Sequence, residues 1–170
     1  MKKIFLIITA LLVASLGYAQ QGKYAYVYSE KIFKAIPEYQ EAIKTLEEYA
    51  KYGEEQSKEK LETVKEMYED YVKIEHALSN SMRIQQRNEI IALEKEANKY
   101  QSDFFGENGA MSKKQQELMK PIEDKVLAAV NELAAEKGLD LIFDLSISKI
   151  TIFQSNSLDL TNEVIKKLGY

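Results

Sequence analysis

The sequence predicts an α+β protein, mostly α, in which a long antiparallel helical hairpin stands on a small three-stranded β body. Two long stretches repeat apolar side chains at steps of three and four, the period of a helix that buries one stripe. Only 7 Gly and 2 Pro occur in 170 residues, so long helices meet few breakers. Short runs rich in aromatic and β-branched residues lie near both ends, where strands are expected.

The first 19 residues read as an export leader. Lys2 and Lys3 give a positive start, Ile4 to Leu16 is apolar apart from Thr9 and Ser15, and Gly17-Tyr18-Ala19 puts small residues where a signal peptidase reads them. Cleavage is expected after Ala19, before Gln20. The apolar run of about 13 residues is short of the roughly 20 that span a bilayer. No other run is long enough, so no stable membrane insertion is expected after cleavage. Removing Lys2 and Lys3 from 23 basic residues leaves 21 against 27 acidic ones, net −6. That balance argues against nucleic acid and against a polybasic membrane contact. The chain has no Cys, which excludes disulfides, thiolate metal sites and thiol catalysis.

Lys23 to Tyr28 alternates Tyr with smaller residues and reads as a strand. Ser29 is expected to cap a helical turn through Ile32 and Phe33. Pro37 can open the next helix, because the first turn does not need its missing N–H. From there a heptad-like stripe runs through Tyr39, Ile43, Leu46, Ala50, Gly53, Ser57, Leu61, Val64, Tyr68, Tyr71 and Leu78, with one slip between Ser57 and Leu61. Leu78 to Ser81 interrupts it, and Ser79 or Ser81 can cap a second helix. The stripe resumes at Met82, Ile90, Leu93, Ala97, Tyr100, Phe104, Met111, Leu118, Ile122 and Val126. Two such arms joined by a short polar break predict an αα-hairpin over 37–120 with its tip near 78–82. Counting back from the tip by the length of the first arm, roughly 60 Å of helix, reaches Pro121. The helix is therefore expected to bend or restart there. Gly106 and Gly109 either loosen the returning arm or break it.

After Pro121 an amphipathic helix through Ile122, Val126, Val130 and Leu133 stops at Gly138. Leu139–Leu145 and Lys149–Phe153 flank Ser146-Ile147-Ser148 and predict a β-hairpin. Asp159 or Thr161 caps a last helix over Asn162–Leu168, closed by Gly169. Residues 20–36 and 121–170 thus form the β-rich body.

Little in the chain suggests catalysis. His76 is the single His and falls at the hairpin tip among polar residues. No His pair has the spacing of a zinc site, and no Gly-rich loop suits a phosphate. Glu47-Glu48 and Glu54-Glu55 read as solvated helix faces. Asp140 and Asp144 flank a strand and mark its polar face and edge more readily than an acid–base pair. No enzyme activity, metal or cofactor is expected.

Aromatic residues dominate the hairpin instead. Tyr39, Tyr68, Tyr71, Tyr100 and Phe104 sit on the stripe and are expected in the seam. Tyr49, Tyr52 and Phe105 sit off it and are expected to be exposed. Two helices cannot bury all of these against each other, and a ring on a helix wall is apolar with a wet tip. Such a surface suits extended apolar chains.

The order and spacing of three motifs resemble the Skp/OmpH family of periplasmic chaperones for outer-membrane proteins. They are Lys23-Tyr24-Ala25-Tyr26-Val27-Tyr28-Ser29-Glu30-Lys31-Ile32-Phe33, the run from Leu118-Met119-Lys120-Pro121-Ile122 to Ala135-Glu136-Lys137-Gly138-Leu139-Asp140-Leu141-Ile142-Phe143-Asp144, and Leu158 to Leu168. The resemblance covers essentially the whole chain after the leader. It implies a periplasmic homotrimer joined through the β bodies, with three hairpins around a cavity that holds unfolded outer-membrane β-barrel proteins without ATP. On that reading Tyr49, Tyr52, Tyr68, Tyr71, Tyr100, Phe104 and Phe105 are candidate client contacts. Tyr24, Tyr26, Val27, Phe33, Leu141, Ile142, Phe143, Ile150 and Ile152 are candidates for the trimerisation body. One departure stands out. Well-known members are strongly basic, whereas residues 37–120 here carry 13 basic and 18 acidic side chains, net −5. Capture of acidic barrels by opposite charge, or binding of lipopolysaccharide phosphates, therefore has no support in this hairpin. The alternative function is a structural coiled-coil adaptor that bridges cell-envelope proteins.

Overall fold

The computed structural model describes residues 22–147 and 152–170. The expected leader and its cleavage site lie outside them, as do Ile150 and most of the strand expected at 149–153. The described residues divide into two compact units, 22–35 with 126–170 and 36–125.

The second unit is the helical hairpin. Helix α2 runs Pro37–Ile74 with Pro37 in its first turn, where the proline's fixed φ suits helix initiation. A 3-10 turn at Glu75–Ala77 reverses the chain. Helix α3 then runs Asn80–Phe105, and the Ser79 hydroxyl caps it by accepting the Met82 N–H at 3.4 Å. Of the two expected caps, Ser79 is the one used. The seam buries Ala42, Leu46, Gly53, Ser57 and Tyr71 from α2, and Ile90, Ala97 and Phe104 from α3.

The seam keeps an unbroken heptad where the apolar pattern predicts a slip. Leu61 and Tyr68, expected inside, are exposed. The less exposed positions are Ser57, Lys60, Val64, Met67 and Tyr71, at alternating steps of three and four. Lys60 fills the position that Leu61 was expected to take. Its aliphatic stem lies along the seam while its ammonium reaches Glu96 Oε1 at 2.7 Å on the facing arm.

The returning arm breaks at its glycines and not at Pro121. Helix α3 ends at Phe105, and helix α4 runs Ala110–Lys137 with Pro121 inside it. A Cβ on Gly106 would lie 2.4 Å from the Ser102 carbonyl oxygen, and one on Gly109 would lie 2.6 Å from that of Phe104. Only residues without a side chain allow this backbone to close so tightly. Pro121 is exposed and sacrifices one helical hydrogen bond. The buried positions Ile122, Val126, Ala129 and Leu133 follow it at steps of four, three and four, so the helical stripe continues past the proline.

The first unit is the small body. Strands β1 (Tyr24–Val27) and β2 (Leu141–Asp144) pair in parallel, with Tyr24 opposite Leu141 and Tyr26 opposite Phe143. β2 pairs with the distant β1, and among the described residues the sheet has two strands; most of the second strand of the expected β-hairpin lies outside them. Ile152 and Phe153 lie in no strand. On its other side β1 meets a single bridge to Asp159, where the Leu160 N–H donates to the Tyr26 carbonyl at 2.9 Å. Helix α1 (Ser29–Lys34) packs against α5 (Thr161–Lys167), with Ile32 and Val164 fully buried.

Ser29 does not cap α1. Tyr28 holds that place and makes no side-chain capping bond. The caps arrive from far along the chain: the Ser29 N–H donates to Asp144 Oδ1 at 3.2 Å, and the Glu30 N–H donates to Ser146 Oγ at 3.0 Å. At the other ends the expected glycines hold. Gly138 and Gly169 have φ of 60° and 92°. The Leu139 N–H donates to Ala134 O and the Tyr170 N–H to Ile165 O, the six-to-one bond of a helix closed by a left-handed residue. Lys167 ties α5 to α4 through Glu136 and Glu132, at 2.7 and 3.1 Å.

Candidate functional site

The aspartates considered for acid–base work serve the backbone. Asp140 Oδ2 accepts the Lys23 N–H at 2.7 Å. Asp144 accepts from Ser29 and, at 2.9 Å, from the Ser146 N–H. Partial burial pushes its carboxyl up, but the hydrogen bonds from Ser29 and Ser146 outweigh that and hold it below its ordinary value. His76 is exposed in the 3-10 turn. Among the described residues no three His, Cys, Asp or Glu side chains gather as metal ligands would.

The aromatic candidates fall into two groups. Phe104, 5% exposed, lies at the centre of a cluster. Its ring stands 4.9 Å from Tyr49, 5.8 Å from Tyr100 and 4.8 Å from Phe105. It fits there because position 53 on the facing arm is Gly: a Cβ at Gly53 would lie 2.1 Å from the Phe104 ring. Tyr71 is also buried, and its hydroxyl donates to Glu75 Oε1 at 2.5 Å. That hydrogen bond and burial raise its phenol above the usual value. Burial does the same to Tyr100, which is only partly exposed. These rings hold the arms together.

Tyr52 and Tyr68 are the open rings, 54% and 57% exposed, with Phe105 less so. Tyr49, expected outside, is half-buried against Phe104; Tyr68, expected inside, is outside. Sequence reasoning missed Val72, Ile84 and Ile91, which are also exposed on the hairpin. The signal for them lies in the heptad: once Lys60 holds the seam, Leu61 and Tyr68 move one position out, and Ile84 and Ile91 share a spacing of seven.

In the body, Tyr26 and Val27 are buried, Ile142 and Phe33 are half-buried, and Tyr24, Leu141, Phe143 and Ile152 are exposed. Burial first, then the nearby charge of Asp159, raises the Tyr26 phenol. Tyr24, Tyr26, Phe143, Leu145, Phe153 and Leu158 line a largely apolar hollow of about 410 Å³.

Among the described residues, the hairpin and the body each leave apolar side chains exposed. The family model for outer membrane protein (OmpH-like) matches residues 23–168. The chain belongs to the OmpH-like family. A protein of Aquifex aeolicus (strain VF5), described only as an uncharacterized protein, is 33% identical over 172 residues, which covers 99% of this chain and 96% of its own. The OmpH-like family is periplasmic, acts as chaperones rather than enzymes, and binds unfolded outer-membrane proteins. No helix of the described residues is long and apolar enough to cross a membrane.

Proposed function

We propose that this protein is an ATP-independent holdase. It is exported by a leader cleaved after Ala19 and assembles as a homotrimer through its β bodies. In the space between three hairpins it keeps unfolded outer-membrane β-barrel proteins from aggregating. The observation that carries the reading is the hairpin's surface: Tyr52, Tyr68, Phe105 and several aliphatic side chains stand open on a helical frame. Open apolar surface on such a frame marks a place of interaction.

Assembly through the body is supported by the edge of β2. A two-stranded sheet is marginal alone, and an uncovered edge is a template for pairing. Leu141 and Phe143 on β2, with Tyr24 on the neighbouring β1, stand exposed. Because residues 37–120 are net −5, apolar contact carries most of the grip, and the activity is expected to survive high salt. The test is light scattering of a urea-unfolded β-barrel membrane protein diluted with and without the purified protein, beside its mass in solution. Suppressed aggregation at low and high salt by a particle of three chains supports the reading. A stoichiometric excess that leaves aggregation unchanged ends it.

A further inference from the structure

Beside its seam the hairpin carries a second apolar stripe that its own packing does not use. On α2 it comprises Leu61, Tyr68 and Val72; on α3 it comprises Ile84 and Ile91, 61% and 58% exposed. Leu61 and Tyr68 are seven residues apart, as are Ile84 and Ile91. Seven residues are two helical turns, so each pair points the same way. Tyr68, Val72 and Ile91 meet over the buried Tyr71 and Ile90 in one open groove of about 240 Å³.

We propose that this groove in the distal half of the hairpin is a principal client grip, and that its ligand is an extended apolar-faced segment, neutral or basic in net charge, of an unfolded outer-membrane protein. The proposal rests on the holdase reading and adds to it a place and a ligand chemistry. Spacing supports an extended ligand. Tyr68 and Val72 rise about 6 Å along α2, close to the roughly 6.6 Å between same-face side chains of an extended chain. Strands of membrane barrels alternate apolar and polar residues, so one face can lie in the groove while the other stays wet.

Two observations favour a client over a second copy of this hairpin. A handful of half-exposed side chains gives a patch of about 300–600 Å², the scale of a functional surface on a single chain. A stable dimer needs about 800 Å² from each partner. The hairpin is also net −5 over 37–120, so like copies repel each other while a basic segment is attracted. Glu75, Glu94 and Arg87 also line the groove, two acids to one base, which sets the same preference locally.

The experiment replaces Ile84 and Ile91 with Ser in the full chain and titrates it against a fluorescently labelled, urea-unfolded β-barrel membrane protein. Affinity is expected to fall about tenfold or more, with mass in solution and helical signal unchanged. Tyr52→Ser, outside the groove, is expected to cost less. If the double variant loses its helical signal, Tyr68→Ser takes its place, since that ring is already exposed. Unchanged affinity in a variant whose parent holds the client overturns the groove and leaves the holdase reading standing. A parent that binds no client overturns both. A mass that drops on substitution assigns the stripe to a second copy and overturns the proposal.

Discussion

Gly53→Ala puts two opposed effects in the same place, and the structure decides between them. In an exposed helix, Ala in place of Gly stabilises by about 1 kcal/mol. At Gly53 the new Cβ would sit 2.1 Å from Cε1 of Phe104 and 2.6 Å from its Cζ. A free ring would swing aside at little cost. This one is buried and hemmed by Tyr49, Tyr100 and Phe105, all with centroids within 5.8 Å. Overpacking of a core costs about 1–3 kcal/mol, so the net expectation is a loss of about 0–2 kcal/mol despite the better helix former. Phe104→Ala removes the clashing Cδ1, Cε1 and Cζ together and on its own costs about 3–5 kcal/mol as a large-to-small change. The double variant is then expected to lose less than the sum of the two singles, by about 1 kcal/mol. Urea unfolding followed by circular dichroism measures all four proteins. A Gly53→Ala protein more stable than its parent by about 1 kcal/mol would show that the ring moves freely and that no lock exists.

Three further substitutions probe the same structure. Asp144→Ala removes the carboxylate that caps α1 and is expected to cost about 1 kcal/mol at neutral pH. The folded carboxyl lies below its ordinary value of 3.8, so its contribution is full above that pH and is lost as pH falls through the lowered value. Parent and variant should therefore converge in acid, as pH-dependent urea midpoints would record. Ser57→Ala removes a buried hydroxyl oxygen without a hydrogen-bond partner and replaces it with a better helix former, so thermal unfolding should shift upward by the equivalent of about 1 kcal/mol. Gly109→Ala drives a Cβ to within 2.6–2.9 Å of three backbone carbonyls that no rotamer change can move. A loss of about 1–3 kcal/mol in urea unfolding is expected.

The helix boundaries that are legible in the sequence are those set by local chemistry. Pro37 opens α2, Ser79 caps α3, and Gly138 and Gly169 close α4 and α5, each through a bond or torsion that reaches only a few residues. What the sequence hides is set at a distance. The partner of β2 is β1, more than a hundred residues earlier, and α1 takes its caps from Asp144 and Ser146. The seam register is hidden for another reason. A pattern of residue types scores Lys60 as polar and prefers Leu61, whereas in the hairpin a lysine stem fills the seam and its charge finds Glu96. That one-position error moves Tyr68 from the inside to the outside. The groove beside the seam therefore comes into view only with the fold.

The two exposed apolar surfaces differ in a way that bears on the proposed assembly and the proposed grip. At the body, Phe143, 50% exposed, sits on β2, which among the described residues is paired on one side only, with β1. Such a surface bonds a partner strand along its length and suits a lasting contact. On the hairpin the stripe is made of side chains alone on helices whose backbone groups are already paired, which suits weak, repeated contact. Phe143→Glu would place a charge in the proposed body interface, and a buried unpaired charge is costly. The particle is expected to fall to single chains as measured by light scattering after chromatography. Client affinity should fall with it by about 100-fold, because three linked weak grips bind far more tightly than one. The Ile84 and Ile91 substitutions should weaken binding at constant mass. A Phe143→Glu protein that keeps its parent's mass would show that the β2 edge does not join the chains, whatever the hairpins hold.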